Sequence, residues 1–129
     1  MLLAATALHA GFQLTVTAVV YPALSRAPDW RRFHEAHSRS ITPVVAVVYI
    51  AVVTASAWVV LEGVDEVGTA TALAGAALSL GVTAFVAAPT HRSLSRARDE
   101  RLLTRLRVAD LVRTFGAFLA LAGALLATL

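Results

Sequence analysis

Four histidines and no cysteine set the range of chemistry open to this 129-residue chain. The missing thiols exclude disulfides, thiolate metal sites, cysteine nucleophiles and thiol redox relays. His34 and His37 lie three residues apart. Pro28 and Asp29 make a helix start, and at about 100° per residue the two histidines share a helix face with Trp30, Phe33 and Ile41, while Arg31, Arg32, Glu35 and Arg39 fall on the opposite face. Imidazoles on an apolar face either rest at lipid-headgroup depth beside Trp30 or point into the mouth of a helix bundle. His91, two residues past Pro89 in a second basic segment, could join them there. Histidine ionises near neutrality and serves as a general base. Three together could instead bind a metal, since neutral imidazole suits zinc, copper, iron and nickel. An i, i+3 pair with a distant third is a weak ligand pattern, so His34, His37 and His91 are read first as acid–base groups, and no cofactor is favoured.

His9 is the one histidine deep inside an apolar run, and it repeats with Gln13 and Thr17 at i, i+4, i+8. Such a stripe turns toward other helices, where polar groups find partners, and either lines a substrate cavity or proton path or ties helices together. No second histidine lies at that depth in the other apolar runs, which argues against a bis-histidine haem. Asp110 and Arg113, three residues apart, share a face with Leu102, Leu103 and Leu106; the pair either belongs to a site or snorkels to the membrane surface. Tyr21 and Trp30 complete the candidate substrate-binding set. The chain has no Walker loop, dinucleotide fingerprint or G-x-S-x-G elbow, and His34-Glu35-Ala36-His37 has the wrong spacing for H-E-x-x-H.

Lipid must surround the elements that hold these residues. Hydrophobic residues make up 58% of the chain and charged residues 15%, against about half and a quarter in soluble domains. Four segments have the roughly 20 apolar residues a crossing needs: 1–25, 42–61, 67–88 and 108–129. The sequence therefore predicts a single all-α domain over 1–129, a bundle of four transmembrane helices with basic amphipathic segments at 26–41 and 91–107. The three connections carry four, zero and six arginines, and the eleventh, Arg113, opens the fourth span. The acids Glu62, Asp65 and Glu66 hold the middle connection. The positive-inside rule puts both basic segments in the cytoplasm and both termini outside, in a plasma or inner membrane. The arginines flank spans, so they point to anionic lipid rather than nucleic acid. The first apolar run lacks a basic leader and a clear A-x-A site, and reads as an uncleaved span.

The halves echo one another. Val16-Thr17-Ala18-Val19-Val20-Tyr21-Pro22 resembles Val82-Thr83-Ala84-Phe85-Val86-Ala87-Ala88-Pro89, and Leu24-Ser25-Arg26-Ala27 recurs at Leu94-Ser95-Arg96-Ala97. A duplication would give a two-plus-two parallel repeat about an axis along the membrane normal. Small residues form stripes at Gly116, Ala120, Gly123 and Ala127 on span four, and at Gly68, Ala72, Gly75, Ser79 and Thr83 on span three; each stripe allows close backbone approach by a neighbouring helix.

Tyr21-Pro22-Ala23-Leu24 ending the first span, Pro89-x-His91-x-x-Leu94 ending the third, and Asp110-x-x-Arg113-Thr114 opening the fourth resemble the anthrone-oxygenase-like family of small four-helix membrane proteins. Many relatives carry asparagine where this chain has His91 and Asp110. The resemblance implies oxidation of polycyclic aromatic anthrones to quinones by molecular oxygen, with no recognised cofactor. The functional expectation is a membrane oxygenase or related redox enzyme for a lipophilic, aromatic polyketide-like molecule. His34, His37, His91, Asp110 and Arg113 would be its catalytic residues; His9, Gln13, Thr17, Tyr21 and Trp30 would line its cavity. The alternatives are a non-enzymatic membrane subunit, or a small transporter or channel, which would need a homo-oligomer to enclose a pore.

Overall fold

Small residues decide how these helices meet. The structure, a computed structural model, describes residues 1–64 and 66–129, Ser25 by its backbone alone. Asp65 of the middle connection lies outside the described residues. The first helix is α1 (Leu2–Thr15), a π-helical turn (Val16–Val20) and α2 (Tyr21–Arg26). The second is α3 (Trp30–Glu62), and the third is α4 (Val67–Val82), a π-helical turn (Thr83–Ala87) and α5 (Ala88–Leu94). The last is α6 (Glu100–Leu126). All four are long and apolar enough to cross a membrane.

The bundle is built inside out relative to a soluble protein. Alanines and glycines fill its interior, whereas Val47, Ile50, Phe85, Leu111 and Phe115 are exposed on its outer surface. Lipid tails are as apolar as those side chains, so association rests on packing and hydrogen bonds rather than on the hydrophobic effect. The predicted small stripes provide that packing: α4 packs more extensively on α6 than any other two helices pack together. A Cβ on Gly75 would stand 2.6 Å from the Gly116 carbonyl oxygen, and one on Gly123 would stand 2.7 Å from that of Gly68. α6 is the most enclosed helix and α3 the least.

Two element boundaries differ from the sequence reading. The basic segment 26–41 is not separate from span two, because α3 runs unbroken through Pro43. A proline removes one helical hydrogen bond, and the Asp29 side chain caps the helix start by accepting from the Arg32 N–H at 3.2 Å. At about 50 Å, α3 exceeds a hydrocarbon core of about 30 Å, so its charged first turns extend beyond the apolar layer. Likewise α6 begins at Glu100 rather than near Val108. Asp99 accepts from the N–H groups of Arg101 at 2.7 Å and Leu102 at 3.1 Å, satisfying two donors that the first helical turn leaves free. Asp99→Ala is expected to cost about 1 kcal/mol of stability, read as a lower melting temperature in detergent.

The two echoed runs share one backbone form: each is a π-helical turn followed at once by a short helix with proline in its first two positions. A proline ring collides with the carbonyl four residues earlier. For Pro22 that carbonyl belongs to Ala18 and for Pro89 to Phe85, both inside the widened turns.

Candidate functional site

The polar residues sort into two groups, one forming helix seams and the other facing a cavity. In the seam between α1 and α6, Arg113 donates through Nη2 to Asp110 Oδ1 at 3.3 Å and to Gln13 Oε1 at 3.2 Å. Thr17 donates to Asp110 Oδ2 at 2.7 Å and meets the Thr114 hydroxyl at 2.7 Å. Thr17 has a single proton, which the carboxylate takes, so Thr114 donates to Thr17. Asp110 and Arg113 are both buried, which rules out the snorkelling arrangement. Further along α1, the buried His9 meets Ser79 Oγ of α4 through Nε2 at 3.2 Å and sets its ring edge-on to Tyr49 of α3.

The cavity, of about 560 Å³, lies between α1 and α2 on one side and α3 and α5 on the other, toward the arginine-rich end. Its span-one wall is Phe12, Val16, Val20, Leu24 and the expected Tyr21, without His9, Gln13 and Thr17. That corrects the expected lining, and the cause is physical. In a low-dielectric bundle the strongest polar groups settle where partners surround them, inside the helix seams, and leave the apolar face to the cavity. Arg113 reaches both places: it belongs to the seam and also forms part of the cavity wall.

At the mouth the three predicted histidines do line one cavity. His34 Nε2 lies 3.4 Å from His91 Nδ1, at the long end of hydrogen-bond distance. Between two neutral imidazoles one N–H is donated and one nitrogen accepts, so the pair keeps one free N–H and one free basic nitrogen. Trp30 is not part of the lining. It stacks on His34 with centroids 5.1 Å apart, donates its indole N–H to the Leu94 carbonyl at 3.3 Å, and lies under the Arg98 guanidinium. It therefore joins the start of α3 to the end of α5 and holds His34 against His91. Phe33, expected on the inward face, is exposed, whereas Glu35 and Arg39 line the mouth from the other side. Glu35 is also 3.6 Å from Arg31 in an exposed pair, which adds little stability. Among the described residues no three His, Asp or Glu side chains converge as a metal cluster requires, so the three-histidine metal reading finds no geometric support.

Sequence reasoning missed Tyr49 and the role of Thr83. Their hydroxyls lie 2.7 Å apart on the cavity wall. A lone phenol in the middle of span two was the available signal. Comparison with protein-family models, with curated proteins and with solved structures finds no match.

Proposed function

We propose that the chain is a multi-pass plasma-membrane oxygenase, with both termini outside, that oxidises a lipophilic, enolisable aromatic ketone in the cavity between α1, α3 and α5. The observation that carries this reading is a histidine pair and a buried arginine on the wall of one largely apolar cavity. The free basic nitrogen of the His34–His91 pair removes a proton from a methylene carbon conjugated to the ketone, and His37 completes the mouth. Arg113 holds the enolate oxygen, with Asp110 positioning it from behind. The enolate passes one electron to molecular oxygen. Recombination forms a C–O bond, and the resulting peroxide takes a proton. Loss of the second methylene proton with O–O cleavage then gives a new carbonyl and water. One ketone and one O2 thus yield one quinone and one water.

The resemblance to the anthrone-oxygenase-like family agrees with this chemistry. The arginine distribution supports the orientation, and ten arginines at one end draw anionic headgroups to that face. The matching π-turns and prolines support an origin by duplication, as a two-plus-two repeat. Purified His34→Ala and His91→Ala proteins are each expected to lose roughly 100-fold or more in kcat for anthrone oxidation, typical of a lost general base. Unchanged turnover in both variants would remove the histidine mechanism.

A further inference from the structure

The hydroxyl contacts around Tyr49 fix the direction in which its proton points. Thr83 Oγ1 is 2.8 Å from the Ser79 carbonyl oxygen, which can only accept, and 2.7 Å from the Tyr49 hydroxyl. A threonine has one hydroxyl proton. With that proton committed to the Ser79 carbonyl, Tyr49 must be the donor to Thr83, and the phenolic oxygen keeps its lone pairs free. The Tyr49 ring packs perpendicular to that of His9, with centroids 5.5 Å apart and planes at 89°, and His9 is anchored by Ser79. Both Tyr49 and Thr83 line the cavity, as does Arg113, which can only donate and whose buried Nε has no hydrogen-bond partner among the described residues. Deep in the cavity, away from the charged mouth of Glu35, Arg39 and Arg92, the wall therefore offers Tyr49 as a preset acceptor and Arg113 as a preset donor.

We propose that the Tyr49 oxygen accepts the hydroxyl proton of a ligand, so that the cavity selects lipophilic phenols and enols over their ethers. The proposal rests on the reading of this cavity as the substrate site and names the class of molecule it takes. An ether in the same place would leave the Tyr49 lone pairs facing nothing that donates. A site built to pair with a hydroxyl discriminates against analogues that lack it.

The test measures retention of 2-naphthol and of 2-methoxynaphthalene by nanodiscs holding the protein, with empty nanodiscs subtracted for lipid partition. Naphthol is expected to bind roughly tenfold more tightly than its methyl ether. Tyr49→Phe should bring naphthol down to the affinity of the ether while leaving ether binding unchanged, which also shows that the cavity is intact. Thr83→Val removes the acceptor for the Tyr49 proton and lets it turn toward the ligand, so the ether should gain and the preference narrow. Equal affinities in the unmodified protein, or a preference that survives Tyr49→Phe, would overturn the proposal. Failure of both compounds to bind would overturn it together with the substrate-site reading. A naphthol preference in a protein without oxygen uptake would leave it standing and remove only the oxygenase reading.

Discussion

Replacing Arg113 by leucine is expected to lower the stability of the bundle by about 3–5 kcal/mol, the usual cost of removing one partner from a buried ion pair. The interior offers Asp110 little alternative. Its Oδ1 loses the guanidinium and keeps no other partner among the described contacts, and Gln13 Oε1 loses its donor at the same time. Only the Thr17 hydroxyl remains on the carboxylate. The paired variant Asp110→Asn with Arg113→Gln removes both charges and keeps hydrogen-bonding groups in the seam, so it should regain more than half of the loss. The measurement is the fraction of monodisperse protein left after heating in detergent. A single variant that melts with the unmodified protein would mean that the pair does not hold α1 to α6.

Gly75→Leu is the second large effect expected. A side chain at this position meets backbone on α6, the Ala120 nitrogen and the Gly116 carbonyl, so no rotamer change can make room for it. The helices must separate, at a cost of at least about 3 kcal/mol. The damage should extend beyond the seam, because Ser79 of α4 and Thr83 of the π-helical turn after it lie one and two turns further along the same span and orient His9 and Tyr49. Gly81→Ala is the matched control. Nothing lies within 4 Å of a Cβ there, so it should be neutral or stabilise by up to about 1 kcal/mol. Equal melting of the two variants would show that the α4–α6 contact is looser than described.

The glycine seam was legible in the sequence because small residues at i, i+4, i+7 have few uses in lipid other than close approach. The four helices were legible for a similar reason, since length and hydropathy limit what can cross a bilayer. The start of α3 at Asp29 was legible, but its continuity with span two and the start of α6 were not. A run such as Arg31–Arg39 has the composition of a surface segment whether or not its backbone continues a span, and only the capping at Asp29 and the passage through Pro43 decide the matter.

The site divides along the same line. His34, His37 and His91 were found because three imidazoles near two basic connections are unusual, and all three face one cavity. On span one, Tyr21 lines the cavity as expected, whereas the stripe His9, Gln13 and Thr17 does not; its spacing fitted a cavity wall or a tie between helices equally well. Inside a membrane a polar stripe is as good a sign of a seam, where His9 meets Ser79, Gln13 meets Arg113 and Thr17 meets Asp110. Tyr49 went unnoticed because its part depends on a threonine 34 residues away, and no spacing rule links the two.

If this cavity joins molecular oxygen to a lipophilic ketone, as proposed, isotope transfer will show it. Protein in nanodiscs would be supplied with anthrone under 18O2, and product and headspace followed against empty nanodiscs. The expected result is protein-dependent uptake of one O2 per quinone formed, one 18O atom in the quinone and the other in water, all lost in the His34→Ala, His91→Ala double variant. Quinone formation no faster than in empty nanodiscs, or protein-dependent oxidation with no 18O in the product, would contradict the account.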